Sequence, residues 1–269
     1  MRQAEHKAFS MDFDGNMAHT RTPIFLLKAG KEGRDEVEVD QRTFDIMIEN
    51  QEIDQEHWRY VNDNFLDSAR LFLTPGNMLG EFVFALEHDW LWPSSPKMTE
   101  ATRDAEPFSI NTARGASIQE MVAIHRIYIH EVLTLDERKE FIYNMKRKQC
   151  KWRNNETRII EKYLMNNRYY GTSHPEFFRM FGVDHTLSTI ERKKLAFKDA
   201  TQHAYKLFSS YDPSFIKDPR FSHGFSDDNR KNILGMQEYI QKELLQLFPS
   251  TTFFTYDTSD HSHIQETKF

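Results

Sequence analysis

The chain has 269 residues, enough for one large domain or for a core domain that carries an inserted module. Hydrophobic residues make up 39% of it and charged residues 28%, which excludes a disordered polar chain because a core can form. The formal charge of -6 argues against general nucleic-acid binding, and the absence of a long apolar run argues against a membrane partner. A polar N-terminus and a single cysteine, Cys150, indicate a cytoplasmic protein without an internal disulfide.

The first half of the chain begins with a predicted strand. It covers residues 8–11 and runs directly into two aspartates and a glycine. Strand-like runs at 22–27 and 36–39 flank a glycine-containing loop, which predicts a hairpin. From residue 40 to residue 87 the apolar spacing becomes helical, and a proline-containing segment follows. We therefore predict that residues 23–104 form an inserted module.

The second half of the chain alternates strands with helices. A second buried strand is predicted over residues 107–111, and further strands near 168–172, 221–225 and 251–256. Helix starts are indicated where Ser or Thr precedes Glu by three positions, at Ser117, Thr134 and Ser188. About five alternations of strand and helix predict an α/β fold with a parallel sheet covered on both faces.

Two carboxylates follow the first predicted strand. Asp12 and Asp14 are two positions apart, so extended backbone can point both side chains to one side, and Gly15 allows the chain to turn away. Two acids in one small site can divide the roles of nucleophile and acid–base group. Because ligands bind beyond the carboxyl ends of parallel strands, polar groups that follow the other strands are expected at the same place.

Four segments share an order with a known family. Residues 9–16, FSMDFDGN, resemble the first motif of the haloacid dehalogenase superfamily, a strand followed by Asp-X-Asp-X-Thr or Val. Its second motif, a strand ending in Ser or Thr, is matched by residues 108–112, FSINT. Its third, a lysine near the start of a later helix, and its fourth, an acidic pair after a strand, have counterparts in IERKK at 190–194 and FSDD at 225–228.

The resemblance implies a fold. The core would be a Rossmann-like three-layer parallel sheet built from residues 1–22 and 105–269. Residues 23–104 would form a flap hairpin and a mainly helical cap, inserted between the first two motifs. Since such caps close over substrates and exclude water, substrate choice is expected to depend on residues of about 40–100.

The resemblance also implies a phosphohydrolase that forms an aspartyl-phosphate. Asp12 would attack phosphorus, and Asp14 would protonate the leaving oxygen and later activate water. Family members bind Mg²⁺, whose ligands here would be Asp12, the backbone carbonyl of Asp14, Asp227 and Asp228. The metal lets an anionic nucleophile approach an anionic phosphate.

Further residues near the motifs are expected to hold the phosphate or the rest of the substrate. Thr112 would donate to a phosphoryl oxygen, and Arg114 is close enough to touch phosphate or a substrate carboxylate. For the lysine that neutralises the transferring group, Lys193, Lys194 and Lys198 compete; Lys193 is preferred because it shares the inward face of its helix, and Lys194 is second. The complete predicted set is Gly15, Asn16, Asn111, Thr112, Ala113, Arg114, Lys193 and Lys194, with Asn16 standing where the family has Thr or Val.

The expected substrate is a small phosphorylated metabolite or a phosphoprotein, including phosphotyrosine. Asp14 favours phosphatase over dehalogenase chemistry because a phosphate-ester leaving group needs an acid. Two alternatives stay open: a non-catalytic binding protein that keeps the fold, and a polynucleotide-end phosphatase that holds its strand with the basic residues 146–153. The polar C-terminal segment that contains Asp257, Asp260, His261 and His263 is interpreted as a mobile tail rather than a metal site.

Overall fold

The computed structural model describes residues 6–18, 20–28, 36–39, 43–44, 47, 50–53, 57–63, 68–91, 94–149, 155–260 and 263–269. In these ranges helices pack around a six-stranded sheet in which five strands are mutually parallel. The predicted α/β fold with a parallel sheet is therefore confirmed. None of the helices in this part of the chain is long and apolar enough to span a bilayer. The predicted hairpin loop at 29–34, Cys150 and the end of the basic run lie outside the described residues.

The main sheet has the strand order β6-β5-β1-β7-β8-β9, with β9 antiparallel at one edge. A second, antiparallel sheet has the order β3-β2-β4. The strands are β1 His6–Met11, β2 Ile24–Lys28, β3 Glu36–Val39, β4 Trp58–Tyr60, β5 Phe108–Thr112, β6 Arg168–Gly171, β7 Phe221–Asp227, β8 Thr251–Asp257 and β9 Gln265–Lys268.

The helices of the described residues connect these strands. They are α1 Asn77–Glu87, α2 Ser95–Arg103, α3 Ile118–Ile127, α4 Leu135–Lys148, α5 Glu156–Asn166, α6 Pro175–Phe181, α7 Thr189–Tyr211, α8 Pro213–Lys217, α9 Arg230–Tyr239 and a last turn, α10 Leu245–Leu247. Short 3₁₀ segments occur at Val61–Asp63 and Arg70–Leu73, and π segments follow α3 at Tyr128–Val132 and α9 at Ile240–Leu244. The three predicted helix starts are confirmed, because the hydroxyls of Ser117, Thr134 and Ser188 accept from the N–H groups three residues later.

The register of β1 with its two neighbours positions the polar residues. Met11 is paired with Ile110 of β5 on one side and with Ser226 of β7 on the other. Because these strands are parallel and in step, the next residue of each emerges at one edge of the sheet. Those residues are Asp12, Asn111 and Asp227.

The two faces of the sheet carry separate apolar clusters, as expected from side chains that alternate along each strand. One cluster joins Phe9 and Ile110 to buried residues of α1–α5. The other joins Phe225 of β7 and Phe253 of β8 to Phe197 of α7 and to α9. The sheet edge at which Asp12, Asn111 and Asp227 emerge is thus supported by packed helices on both faces.

Two predictions about the module and the tail need correction. The stretch 40–87 was predicted to be helical, but Trp58–Tyr60 is a strand, because its aromatic residues pair with β2. Within the predicted insertion 23–104, which stays a prediction, α1 and α2 contribute Phe82 and Met98 to the core cluster of the main sheet. The C-terminal tail was predicted to be mobile, but β9 pairs with β8.

Two buried histidines make stability depend on pH. Burial lowers the pKa of both His125 and His223 to about 3, from an ordinary 6.5. Unfolding lets each ring take up a proton below pH 6.5, so their stabilising effect is complete above that pH and is lost as pH falls towards 3. We expect the slope to approach about 1.4 kcal/mol per pH unit for each histidine below pH 6.5, measured by urea unfolding between pH 6 and 4.5.

Replacement of one ring, His223→Gln, should reduce the summed slope by about 1.4 kcal/mol per pH unit, which corresponds to one proton. The double variant His125→Gln/His223→Gln should reduce the slope by about twice that amount, which corresponds to two protons. An unchanged slope in the double variant would show that neither ring is held neutral.

Candidate active site

A buried ion cluster lies at the carboxyl edge of the sheet. Nζ of Lys193 is 2.9 Å from Oδ2 of Asp12 and 2.5 Å from Oδ2 of Asp227. Lys193 and Asp227 are fully buried, and Asp12 is 6% exposed. Of the three candidate lysines, the structure brings Lys193 to the carboxylates, whereas Lys194 pairs with Glu191 on the helix surface. A buried charge of this kind is tolerated only with close partners of opposite sign.

Burial and neighbouring charges act against each other in this cluster. Burial, together with the charges of Asp227 and Asp14, raises the pKa of Asp12 to about 7 even though Lys193 lowers it. Burial lowers the pKa of the Lys193 ammonium, but Asp12 and Asp227 outweigh it and raise that pKa above its ordinary value. Lys193 is therefore a stable cation. One ammonium does not balance the carboxylates gathered here, so the site favours a further positive charge.

Three carboxylates are close enough to share a metal ion. Asp12, Asp227 and Asp228 each offer an oxygen, and these oxygens lie within 4.8 Å of one another. Magnesium binds oxygens at about 2.1 Å in an octahedron, so opposite ligands stand about 4.2 Å apart. The donor set therefore fits a hard divalent cation in size and chemistry. The predicted role of the Asp14 backbone carbonyl as a further ligand stays a prediction, and the Asp14 carboxylate has a different partner.

Asp14 is paired with Arg114. Nε of Arg114 lies 2.9 Å from Oδ1 and 2.7 Å from Oδ2 of Asp14, and Nη2 lies 2.5 Å from Oδ1. Thr20 donates to the same oxygen at 2.8 Å. Arg114 is fully buried and also donates to Thr22 and Asn77. Its guanidinium thus donates to protein acceptors, and the predicted contact of Arg114 with phosphate stays a prediction.

Gly15 leaves space for Asp228 because it has no side chain. Its φ of +62° is a left-handed conformation that few residues adopt without strain. A Cβ atom there would stand 2.1 Å from Oδ2 of Asp228. Asp228 thus lies directly against the turn that follows Asp12. Gly15 was predicted to contact substrate, and the structure shows that it gives Asp228 room.

The two amides predicted to bind substrate make hydrogen bonds within the protein. Asn16 is fully buried; it donates to the carbonyl of Ser226 at 2.9 Å and accepts from the Ser226 hydroxyl at 2.8 Å. Asn111 donates to the carbonyl of Lys193 at 3.1 Å, which ties β5 to the helix turn that carries the lysine. Both side chains fix the position of groups in the ion cluster.

The remaining predicted residues lie at the end of β5. Thr112 is fully buried, and its Oγ1 accepts from the backbone N–H of Arg114 at 3.2 Å. A hydroxyl that accepts one bond can still donate its hydrogen to a ligand. Ala113 is half-buried beside it. Thr112 thus keeps its predicted capacity to donate.

Sequence reasoning missed two residues that fix the carboxylates, Thr20 and Asn232. Nδ2 of Asn232 is 3.1 Å from Oδ1 and 3.3 Å from Oδ2 of Asp227. Its signal in the sequence is an amide within the first turn of the helix after the acidic pair. Thr20 follows Asp14 by six residues with no motif to mark it.

The chain was compared with known proteins in three ways. A scan against protein-family models found no match, and searches of curated proteins and of solved structures found none either.

Removal of the bridging ammonium should leave two buried carboxylates facing each other. We expect Lys193→Met to lower the free energy of unfolding at pH 7.5 by about 3–5 kcal/mol, the usual effect of breaking a buried ion pair. Part of this loss should be recovered at pH 5.5, since Asp12 can then take up a proton. Urea unfolding at both pH values measures the effect.

The matched control for this variant is Lys242→Met. Lys242 is exposed and pairs with Glu238, so its loss should change stability by less than about 1 kcal/mol. Equal losses in the two variants would contradict a stabilising role of the Lys193 ion pairs.

A methyl group at Gly15 should disturb Asp228 more than it disturbs the fold. We expect Gly15→Ala to reduce stability by about 1–2 kcal/mol through backbone strain, and to weaken Mg²⁺ binding about tenfold or more because the Asp228 carboxylate must move. Mg²⁺ titration, followed by isothermal calorimetry, measures the binding.

Gly182→Ala provides the control for strain alone. Gly182 has φ +63°, and a Cβ there would have no atom within 4 Å. This variant should lose similar stability but bind Mg²⁺ as the wild type does. Indistinguishable Mg²⁺ affinity in the two variants would mean that Asp228 is not part of the metal site.

Proposed function

We propose that this chain is a Mg²⁺-dependent phosphomonoester hydrolase of the haloacid dehalogenase type, with Asp12 as the nucleophile. The observation that carries the proposal is the convergence of Asp12, Lys193, Asp227 and Asp228 at the carboxyl edge of the central strands. The carboxylates and the lysine belong to segments far apart in sequence, and the motif order anticipated their meeting. The α/β core with its parallel sheet is compatible with the Rossmann-like core of that superfamily.

The position of Asp12 suits nucleophilic attack. Its Oδ1 accepts from the backbone N–H of Phe13 at 2.8 Å, and its Oδ2 contacts Lys193, so the carboxylate is held in one orientation. A fixed nucleophile lowers the entropic part of the barrier. Attack forms a bond from the Asp12 oxygen to phosphorus and breaks the ester bond, and water then attacks phosphorus and releases phosphate. Mg²⁺, held by Asp12, Asp227 and Asp228, would supply charge neutralisation for the incoming phosphate.

Asp14 is the proposed acid–base group. It stands two residues after the nucleophile on the same turn, and Arg114 and Thr20 fix its carboxylate. In this state it is arranged to accept a proton from water in the second half of the reaction. Delivery of a proton to the leaving oxygen in the first half requires these contacts to lengthen. Lys193, beside Asp12, neutralises charge that develops on the transferring group.

We propose a phosphorylated metabolite or a phosphoprotein as the substrate and the cytoplasm as the location of the enzyme. The β2–β3 hairpin would serve as the flap over the site. One residue of the basic run, Lys148, makes contacts within the fold, and this argues against a polynucleotide-end phosphatase. Lys148 pairs with Glu106 at 2.5 Å and donates to the carbonyl of Asp104 at 2.8 Å. Its ammonium is thereby less available to a nucleic-acid strand.

The test is hydrolysis of para-nitrophenyl phosphate with and without Mg²⁺. We expect turnover by the wild type that requires Mg²⁺. Asp12→Asn should reduce kcat by at least about 1,000-fold because the amide is a poor nucleophile, and Asp14→Asn by about 100- to 10,000-fold because the proton carrier is lost.

Asp218→Asn is the control for these substitutions, since Asp218 pairs with exposed Arg220 on the surface. It should retain wild-type activity. Full activity of Asp12→Asn would refute the proposed mechanism, and a wild type without Mg²⁺-dependent turnover would favour the non-catalytic binding protein.

A further inference from the structure

Arg192 is a buried cation without an ionic partner in the part of the chain that the structure describes. It is 4% exposed, and no described carboxylate lies within 4.0 Å of its guanidinium. Nη2 donates to Thr189 at 3.2 Å, while Nε is buried and has no hydrogen-bond acceptor. Burial lowers the pKa of Arg192. Because a buried charge is costly without partners, this environment calls for an anion.

Two hydroxyls in the loop after β6 are also buried without partners. They are Oγ1 of Thr172, which is fully buried, and Oγ of Ser173. The loop is fixed to the active-site edge, since the N–H of Thr172 donates to the carbonyl of Thr112 at 2.8 Å. Hydroxyls beside a guanidinium are typical of sites for carboxylate or phosphate.

The packing of α7 places Arg192 over this loop. Arg192, Ala196 and Ala200 follow one another at intervals of four and share a helix face. Ala196 and Ala200 pack in one cluster with Tyr170 of β6. Thr172 follows Tyr170 by two residues along the chain. Arg192 precedes Ala196 by one helical turn. The directions of helix and strand therefore place Arg192 and Thr172 at the same end of this contact.

Stacking on an aromatic ring does not replace an anion here. The Arg192 guanidinium carbon is 5.7 Å from the centre of the Phe178 ring, close to the limit of cation–π attraction. Such a contact satisfies no N–H donor, and Nε stays unpaired. An external acceptor would satisfy it.

The proposed phosphate position is near. Arg192 and Lys193 are consecutive in α7, so their charged groups lie within roughly 10 Å of each other, the length of a small metabolite. Asn111 ties β5 to this helix turn, since its Nδ2 donates to the Lys193 carbonyl.

We infer that Arg192, with Thr172 and Ser173, binds a second anionic group of the substrate, a carboxylate or another phosphate. The inference rests on the proposed function, whose substrate class it narrows. The substrate would be a small phosphomonoester that carries a second negative charge, rather than a phosphoprotein.

The test compares two phosphonates that cannot be hydrolysed, 3-phosphonopropionate and propylphosphonate. They match in length and differ in the terminal carboxylate. By isothermal calorimetry with Mg²⁺, we expect the wild type to bind the carboxylated compound about tenfold more tightly, the usual effect of a charge-assisted hydrogen bond. Arg192→Met should abolish this preference and leave the affinity for propylphosphonate within about twofold.

Two further variants make the test independent of folding defects. Thr172→Val removes one hydroxyl at nearly constant volume and should reduce the preference severalfold, even if Arg192→Met does not fold. Arg220→Met, at an exposed arginine paired with Asp218, should retain the full preference.

The outcomes separate this inference from the proposed function. A wild type that hydrolyses para-nitrophenyl phosphate but binds both phosphonates equally, or a preference that survives in Arg192→Met and Thr172→Val, overturns the inference alone. An Arg192-dependent preference in a chain without turnover supports the anion site and contradicts the proposed function. Failure of the wild type to bind either phosphonate overturns the inference.

Discussion

The concentration of negative charge at one edge of the sheet is the constraint on which the site depends. Parallel register brings Asp12 and Asp227 together, and Asp228 follows next in the chain. Carboxylates that lose water in this way repel one another, so the surrounding structure must compensate them. Lys193 supplies one charge, and Asn232 and backbone N–H groups supply hydrogen bonds. The compensation is incomplete without a further cation, so the same arrangement favours a metal ion.

A second ion pair connects this edge to the smaller sheet. Arg114 holds Asp14 while it also donates to Thr22, just before β2, and to Asn77 at the start of α1. These acceptors share the donors of one guanidinium, whose planar geometry fixes their relative positions. A displacement of the segment before β2 must therefore change the bonds that orient Asp14. Through Arg114, the orientation of the Asp14 carboxylate and the position of the β2–β3 hairpin are coupled.

The sequence predicted the parallel strands and the residues that follow them, because both depend on local pattern. Asp12 was found this way, Lys193 and Asp227 through the resemblance of their segments to the family motifs, and the structure brings the three together. The partner of Arg114 could not be found, since Asp14 lies 100 positions away and either a ligand or a carboxylate suits an arginine. The strand at Trp58 was missed for a related reason: its conformation is set by pairing with β2, whereas apolar spacing there fits a helix equally well.

The neighbouring cations of α7 show how helix geometry separates two tasks. Consecutive side chains point about 100° apart, so Lys193 faces the carboxylates while Arg192 faces the loop after β6. A lysine suits the first place, because a compact ammonium can be shared between Asp12 and Asp227. For the second place, stability gives no reason for an arginine: an apolar side chain would pack against Phe178 without loss of hydration. An arginine with an unpaired Nε at this place is consistent with the inferred site for an external anion.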